Sequence, residues 1–241
     1  MMKDNAELIE QFRKRYEDLK ASLAEVCASC GRDPESVTII GVSKVFPVEY
    51  AMAAFAAGVQ DFGENRVQEL VPKTEAFAEE GLDARWHLIG TLQKNKVKYI
   101  IGKTHLIHSV DSVELAEEIA KRSLCNNVIS DILLQVNVSG EESKHGFAAD
   151  EVKGMMPKIL SLDGIRVKGL MTMAPIQSCD GDAKIVFEKT KLLFDELDPG
   201  DWDTLSMGMS GDWKHAVACG ATHIRIGTAL FGDRAAFVAK D

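Results

Sequence analysis

The sequence carries little positive charge for its length. Its 241 residues include 28 Lys and Arg against 37 Asp and Glu, which gives a formal net charge of -9 at pH 7. Sequence-independent binding to nucleic acid needs clustered Lys and Arg that displace counterions from the phosphate backbone. The acidic balance therefore argues against DNA or RNA as a partner.

The N-terminal segment lacks a long apolar run. Residues 1–19 read MMKDNAELIEQFRKRYEDL, a densely charged stretch with apolar residues at helical spacing. A secretory signal needs a continuous apolar region, and a membrane span needs about 20 predominantly apolar residues. We therefore expect a cytoplasmic protein that has no membrane partner.

Cysteines and metal-binding patterns are scarce. Of five cysteines only Cys27 and Cys30 form a CxxC pair, and this pair ends a helical pattern just before Gly31. A zinc site needs two more ligands and a redox pair needs a strand-to-helix context, so we predict reduced thiols. The histidines contain no HExxH spacing, and His105 and His108 would lie on opposite faces of a strand. No metal site is predicted.

Short apolar runs alternate with helix-patterned segments such as SVELAEEIAKR. Connections of this length require parallel strands covered by helices, and roughly thirty residues per unit fits a (β/α)8 TIM barrel. An open doubly wound sheet is the alternative, but no GxGxxG follows the first run, and no GxSxG elbow or Walker loop is present. We predict an α/β protein with one barrel domain over residues 1–241. The runs are 37–43, 59–62, 86–89, 105–110, 132–138, 165–173, 204–207 and 222–226.

An additional helix precedes the first predicted strand. From Ala6 to about Val26 the apolar residues recur with a 3.6-residue period, and Gly31 and Pro34 follow. An amphipathic helix of this kind covers a larger apolar surface. We expect residues 1–30 to form a helix that packs on the barrel.

Lys44 stands at the end of the first predicted strand. Side chains alternate along a strand, so Thr38, Ile40, Val42 and Lys44 share one face. If this face points inward, Lys44 lies at the top of the barrel, where such barrels carry their functional groups. Loss of water there lowers the pKa of a lysine and makes its amine nucleophilic. The alternative is an ordinary strand-end lysine that extends into solvent.

Two late segments join strands to helices through small residues. TLSMGMSGDWKHAVACG predicts a strand to about Met207, followed by Ser210 and Gly211 at the start of a short helix. THIRIGTALFG predicts a last strand, followed by Gly227 and Thr228 at the start of the last helix. The loops after the seventh and eighth strands of barrels commonly bind phosphate, through backbone N–H groups and hydroxyls. The alternative is plain helix capping.

Three other polar residues stand at strand ends. Arg225 on the last strand would place a permanent cation in the barrel mouth, which is costly unless a partner compensates it. An ion pair with a carboxylate is the alternative for Arg225. Asn65 ends the second strand and His87 lies at the end of the third. Their alternatives are an N-cap role for Asn65 and a hydrogen-bonded core position for His87.

A lysine amine, a phosphate cradle and an arginine at one end of a barrel form a site for an aldehyde that carries a phosphate. The amine reacts with the carbonyl group, and the glycine-rich loops accept the anion. Pyridoxal 5'-phosphate (PLP) is the best-known molecule of this description.

The segments that carry these residues resemble a known family over most of the chain, from about Val37 to Gly232. They resemble the successive signatures of the pyridoxal phosphate homeostasis proteins, also called the YggS or PROSC family. The resemblance implies a single-domain barrel similar to the N-terminal domain of alanine racemase. It also implies a protein that binds PLP without established turnover, protects the free cofactor and delivers it. The segments are IIGVSKVFP, DFGENRVQEL, RWHLIGTLQKNK, VNVSGEESKHGF, VKGLMTMAP, LSMGMSGDW and HIRIGTALFG.

Carried over residue by residue, the resemblance implies a role for each candidate. Lys44 would be the Schiff-base lysine, Asn65 would lie beside the ring, and Arg225 would face the pyridine nitrogen. The phosphate would be held by Ser210, Gly227 and Thr228.

Two positions depart from the family pattern. Arg66 stands where an aromatic residue is usual, and Gly211 stands where an acidic residue is usual. These departures bear on the shape and charge near the second strand and near the phosphate helix.

Two hypotheses for the function follow. The first is a PLP-binding and transfer protein without a catalytic residue, which supplies PLP-dependent apoenzymes and is expected to be a monomer. Arg225 cannot accept a proton from the pyridine nitrogen, so carbanion chemistry would be weak, and the chain has no room for the C-terminal domain that gives a racemase its catalytic tyrosine. The second is an enzyme, either a weak PLP-dependent amino-acid racemase or a Schiff-base aldolase acting on a sugar phosphate.

Overall fold

An amphipathic helix begins the chain. The computed structural model describes residues 2–140, 145–175, 180–235 and 237. Helix α1 (Met2–Ser29) exceeds the periodic segment Ala6 to Val26 at both ends and lies within the expected residues 1–30. It buries Phe12, Leu19 and Leu23 on one face and packs on the helical layer of the barrel. The predicted extra helix is therefore confirmed.

The CxxC pair lies at the end of α1. Cys27 is fully buried, whereas Cys30 is half-buried and donates its thiol proton to the Val26 carbonyl oxygen at 3.2 Å. Both are free thiols. Burial raises the pKa of the Cys27 thiol, so this sulfur is a weak nucleophile at neutral pH.

The described residues after α1 include nine strands, and eight of them close into a barrel. They are β1 (Thr38–Val42), β2 (Asp61–Glu64), β3 (Arg85–Leu88), β4 (Leu106–Val110), β5 (Ser130–Asn137), β6 (Phe147–Ala148), β7 (Ile165–Met171), β8 (Thr204–Met209) and β9 (His223–Ile226). All pairings are parallel, in the order β1-β2-β3-β4-β5-β7-β8-β9, and β9 pairs with β1. This closure confirms the predicted (β/α)8 barrel and shows that the open sheet is wrong.

Strand β6 is the one the sequence patterns missed. It has two residues and pairs with β5 outside the barrel, which is too short for a periodicity to predict. Residues 141–144, within the VNVSGEESKHGF segment, lie outside the described residues.

Each barrel strand is followed by a helix. After β3 this is a 3-10 helix, η2 (Lys94–Tyr99), and another 3-10 helix, η1 (Pro34–Ser36), precedes β1. Over the described ranges, no helix combines the length and the apolar character that a membrane crossing requires. The other helices are α2 (Val48–Ala56), α3 (Val67–Glu79), α4 (Val113–Cys125), α5 (Glu151–Leu160), α6 (Asp180–Leu197), α7 (Trp213–Ala218) and α8 (Thr228–Phe231).

Alternate side chains of the strands point into the barrel. A Cβ added at Gly41 of β1 would contact Leu230 of the helical layer, so the neighbouring Ile40 and Val42 face inward, as the alternation predicts. Most buried apolar side chains pack between the strands and the helices. A separate, smaller apolar cluster consists of Leu106, Leu133, Met171 and Met173.

Candidate functional site

A cavity of ≈ 300 Å³ opens at the carboxyl ends of the strands. The six residues to which the family resemblance assigns a role all line this cavity. They come from β1, β2, β8 and β9, which are neighbours in the barrel. The residues are Lys44 after β1, Asn65 after β2, Ser210 after β8, Arg225 on β9, and Gly227 and Thr228 at the start of α8.

The Lys44 side chain is partly buried at this cavity. Burial is the main cause that lowers the pKa of Lys44, and the positive charge of Arg234 lowers it further. The carboxylates of Glu69 and Glu64 oppose this shift. A lower pKa leaves more of the amine unprotonated at neutral pH, and the unprotonated amine is the nucleophile. The half-buried Lys44 side chain thus lies at the cavity wall, where burial favours the unprotonated amine.

The turn that carries Lys44 is strained. Phe46 donates its backbone N–H to the Ser43 carbonyl oxygen at 3.1 Å, and Val45 has a φ of 66°. β-Branched residues rarely adopt this left-handed conformation, which costs on the order of 1–3 kcal/mol. The Glu69 carboxylate accepts the Val45 N–H at 2.6 Å. This contact fixes the backbone that follows Lys44.

A buried ion pair supports the backbone that precedes Lys44. Lys73 Nζ lies 2.6 Å from Glu64 Oε1, and both side chains are almost completely buried. Lys73 also donates to the Ser43 carbonyl oxygen at 2.8 Å, and the Ser43 hydroxyl donates to Glu64 Oε1 at 2.5 Å. Burial raises the pKa of Glu64, although Lys73 opposes the shift. Peptide groups on both sides of Lys44 are thus held by two side chains of α3, Lys73 and Glu69, and Glu64 of β2 holds Lys73 in place.

Asn65 packs through its backbone against the loop after β3. A Cβ added at Gly90 would lie 2.3 Å from the Asn65 carbonyl oxygen and 2.7 Å from its Cα, so only glycine permits this approach. The N-cap of α3 is Arg66, whose side chain is exposed. The capping alternative for Asn65 is therefore wrong.

Replacing Gly90 by Ala is expected to push Asn65 away from the cavity and to lower the free energy of unfolding by about 1–3 kcal/mol, the usual range for overpacking. Urea unfolding measures the loss. Gly211→Ala is the matched control, because Gly211 also lines the cavity but a Cβ there would have no heavy atom within 4 Å. Equal effects of the two substitutions would contradict this account.

The loops after β8 and β9 meet beside the cavity. Gly227 is the N-cap of α8, as predicted, and its N–H donates to Ser210 Oγ at 3.3 Å. The predicted helix start at Ser210 and Gly211 is wrong: β8 continues to Met209, and α7 begins only at Trp213. Ser210 is exposed in the intervening turn and is not the N-cap of α7, which is Asp212.

Arg225 reaches the cavity from inside the barrel and is 4% exposed. It donates from Nη1 to Ser206 Oγ at 2.6 Å and from Nη2 to the Thr172 carbonyl oxygen at 2.9 Å. Burial lowers its pKa to about 10, against the effect of Asp212. Its partners within the described part of the chain are neutral, so these contacts do not support the alternative of a carboxylate ion pair.

The sequence patterns missed one cation at the cavity. Arg234 lines it and lies two residues beyond Gly232, where the THIRIGTALFG segment ends. An exposed arginine after the last helix carries no periodicity or capping signal. Arg234 comes close to Lys44 because the residues directly after α8 pass beside the cavity that both side chains line.

Three histidines, His87, His108 and His223, lie on barrel strands and do not line the cavity. His87 is fully buried and its Nδ1 lies 2.9 Å from His108 Nε2, so the core interpretation of His87 is correct. The ring of His105 also approaches His87, with centroids 5.4 Å apart. The prediction that His105 and His108 lie on opposite faces of a strand is wrong, because His105 precedes β4. Among the described residues no His, Cys, Asp or Glu group has an arrangement that could hold a metal ion.

Sequence comparison places the chain among known proteins. The family profile described as alanine racemase, N-terminal domain, matches residues 33–235. The pyridoxal phosphate homeostasis protein of Aquifex aeolicus is 43% identical over 216 residues, which cover 88% of this chain and 93% of that protein. The chain belongs to the pyridoxal phosphate homeostasis protein family.

Solved structures agree with this membership of the pyridoxal phosphate homeostasis protein family. PipY of Synechococcus elongatus, in a structure with PLP bound, is 36% identical with a TM-score of 0.77, covering 87% of this chain and 100% of PipY. An alanine racemase of Clostridium difficile 630 has a TM-score of 0.73 at 17% identity, covering 96% of this chain and 59% of the racemase. At that identity the racemase shows a common fold alone.

Proposed function

We propose that this chain binds PLP covalently through Lys44 and serves PLP homeostasis without significant turnover. The observation that carries the proposal is the position of the Lys44 amine. Its pKa is lowered by burial, and it faces the same cavity as Arg225 and the two glycine-containing loops. A volume of ≈ 300 Å³ is at the small end of the range for ligand pockets, about 300–1,000 Å³, which suits a ligand with a single ring.

The polar lining fits the three functional groups of PLP. The amine of Lys44 would bind the aldehyde, and Asn65 would lie beside the ring. Arg225 would face the pyridine nitrogen. Bound PLP supplies an electron-withdrawing ring that can stabilise a carbanion next to its imine carbon. The phosphate would be held by Ser210, Gly227 and Thr228, with Arg234 adding positive charge at the mouth.

Two features favour a binding protein over a racemase. Arg225 donates hydrogen bonds and accepts none, so it cannot keep the pyridine nitrogen protonated as a carboxylate would. Besides Lys44, the titratable side chains among the described lining residues are Arg225 and Arg234. Racemisation needs a second group that gives or takes a proton near neutral pH, and neither arginine can do so.

Borohydride reduction tests the proposal directly. After incubation with PLP and reduction, we expect one phosphopyridoxyl group on Lys44, located by peptide mass spectrometry, and none in the Lys44→Ala variant. Lys98→Ala is the matched control, because Lys98 is an exposed lysine of η2 that does not line the cavity. A label at another lysine, or no label, would refute the proposal.

Turnover assays separate binding from catalysis. The PLP-loaded protein and the Lys44→Ala variant are incubated with D- and L-amino acids, and the PLP-free protein with sugar phosphates. Lysine-dependent turnover on the order of 1 s⁻¹ or faster, an ordinary enzyme rate, would favour the racemase or aldolase hypothesis.

Transfer of PLP to PLP-dependent apoenzymes, a monomeric state and a cytoplasmic location remain our predictions. The exposed mouth supports transfer, since Ser210, Thr228 and Arg234 are all exposed. Sedimentation of the loaded protein measures its oligomeric state. Activation of a recipient apoenzyme by the loaded protein, compared with an equal amount of free PLP, measures transfer.

A further inference from the structure

A chain of hydrogen bonds crosses the barrel interior from Arg225 to Asp61. Arg225 Nη1 lies 2.6 Å from Ser206 Oγ, which lies 2.9 Å from His108 Nδ1. His108 Nε2 lies 2.9 Å from His87 Nδ1, and His87 Nε2 lies 3.1 Å from Asp61 Oδ1. We call these five residues the interior relay. All are buried, in a region that TIM barrels usually fill with branched apolar side chains.

The interior relay connects the two ends of the barrel. Arg225 lines the cavity at the carboxyl ends of the strands, whereas Asp61 is the first residue of β2. The contact between Ser206 and His108 joins β8 to β4, which are not neighbours in the sheet, so it spans the inside of the barrel. A network of this kind has to be satisfied at every member, because an unpaired polar group in the interior is costly.

The two ends of the interior relay have opposite hydrogen-bonding capacity. Arg225 can only donate, and an ionised Asp61 can only accept. Although burial opposes it, hydrogen bonds from His87 and Arg85 hold the pKa of Asp61 well below its usual range. Arg85 binds this carboxylate with two hydrogen bonds, from Nε to Oδ1 at 2.7 Å and from Nη2 to Oδ2 at 2.6 Å. Asp61 is thus an anchored anion.

These ends determine where every proton between them lies. Burial lowers the pKa of His87 and lowers that of His108 well below the usual value, so each neutral ring has one donor and one acceptor nitrogen. His87 must donate from Nε2 to Asp61, and its Nδ1 then accepts from His108 Nε2–H. His108 Nδ1 accepts the Ser206 hydroxyl proton, which turns a Ser206 lone pair toward Arg225.

We propose that the interior relay holds Arg225 in the orientation that faces the cavity, with His108 as a positioning residue that acts through Ser206. Without the acceptor nitrogen of His108, the Ser206 hydroxyl could rotate its proton toward the guanidinium and repel it. The Thr172 carbonyl oxygen would then be the remaining acceptor for Arg225. The proposal rests on the proposed function only for the contact between Arg225 and PLP.

The charged and titratable groups around the two rings favour their neutral state. The His223 ring lies 6.4 Å from His108 and 6.2 Å from His87 between centroids, and His105 lies beside His87. The charges of Arg225 near His108 and of Arg85 near His87 oppose protonation, whereas Asp61 favours it at His87. Near neutral pH each hydrogen bond of the interior relay therefore has one fixed donor and one fixed acceptor.

The first test uses the PLP-free protein and no substitution. Long-range proton–nitrogen NMR correlations of the histidine rings should show His87 and His108 protonated at Nε2 alone, from about pH 8 to about pH 6. A proton on Nδ1 of either ring in this range, or titration of either ring near its ordinary pKa, would overturn the proposal. This outcome is independent of whether the chain binds PLP.

The second test compares two substitutions of His108. Gln offers an acceptor oxygen and a donor amide and is expected to preserve the relay, whereas Leu removes both. In the PLP-free protein, the two Arg225 Nη nitrogens should give separate, slowly exchanging NMR signals in the wild type and in His108→Gln, and merged signals in His108→Leu. In the loaded protein, His108→Leu should shift the absorbance maximum of bound PLP and raise its Kd on the order of tenfold, the usual effect of losing a hydrogen bond to a charged group.

Separate Arg225 signals and an unchanged Kd in a folded His108→Leu variant would overturn the proposal. If His108→Leu does not fold, the ring protonation in the wild type still decides. A wild type that fails to bind PLP would refute the proposed function and leave the NMR measurements on the relay intact.

The third test asks whether Asp61 determines which ring nitrogens of His87 and His108 carry the proton. In Asp61→Asn the side-chain amide can donate to His87, so protons on Nδ1 of His87 and His108 should become detectable. Asp131→Asn is the matched control, since Asp131 also binds an arginine, Arg166, near the start of its strand but has no part in the relay. Loss of the single tautomer in both variants, or in neither, would contradict the role of Asp61.

Discussion

Replacing Lys73 by Met is expected to lower the free energy of unfolding by about 3–5 kcal/mol, because the substitution leaves a buried charge without its partner. Glu64 is fully buried, and Lys73 provides its closest positive charge, at 2.6 Å. The second oxygen, Glu64 Oε2, has no hydrogen-bond partner among the described residues, and the Ser43 hydroxyl at Oε1 is neutral, so these contacts do not replace the charge of Lys73. Urea unfolding at neutral pH measures the change.

Two further variants separate the buried charge from a general effect of removing a lysine. Lys103→Met breaks an exposed ion pair with Glu75 and should cost less than about 1 kcal/mol. The double variant with Lys73→Met and Glu64→Gln should recover part of the loss, because it leaves a polar group in place of an unpaired charge. A loss in Lys103→Met as large as that in Lys73→Met would contradict the buried-charge account.

The stability of the protein is expected to fall when the pH is lowered from 7 to 5. Burial lowers the pKa of His223 to about 3 and that of His108 well below its usual value, whereas both titrate near 6.5 in the unfolded chain. Below pH 6.5 the unfolded state therefore binds more protons, and stability falls with falling pH. Each such histidine should contribute a loss of about 2 kcal/mol between pH 7 and pH 5.

The His108→Gln variant isolates one of these contributions. Its side chain does not titrate, so its free energy of unfolding should fall by about 2 kcal/mol less than that of the wild type over the same range. The comparison cancels the effect of Glu64, whose pKa is raised by burial and whose contribution has the opposite sign. Parallel curves of stability against pH for the two proteins would show that His108 is not held neutral by the fold.

Much of the site could be predicted because it depends on local patterns. Side-chain alternation along β1 is enough to point Val42 inward and so to put Lys44, two residues later, at the strand end, and a parallel barrel brings the carboxyl ends of all its strands to one side. The same reasoning applies to Asn65, Arg225 and Gly227, which end or follow neighbouring strands. Their meeting at one cavity requires only that the barrel closes in the usual order.

Contacts across the barrel could not be predicted from the sequence. Ser206 and His108 are 98 residues apart and meet because β8 and β4 face each other across the interior, which depends on the register of every strand between them. The start of α7 was missed for a related reason. Met209 donates its N–H to the Asp212 carboxylate at 2.6 Å, and this tight turn delays the helix, whereas small residues such as Gly211 suggested an earlier start.

Under the proposed function, the left-handed Val45 also bears on how Lys44 would meet an arriving carbonyl compound. Its conformation is enforced by Glu69 on one side and by the turn to Phe46 on the other, so contacts within the protein itself order the backbone at Lys44. If Lys44 binds PLP as proposed, no conformational search of this turn has to precede binding. The rate of binding at Lys44 would then depend on diffusion of PLP into the barrel mouth and on the fraction of the Lys44 amine that is unprotonated. It should therefore change with pH and should not be limited by internal motion of this turn.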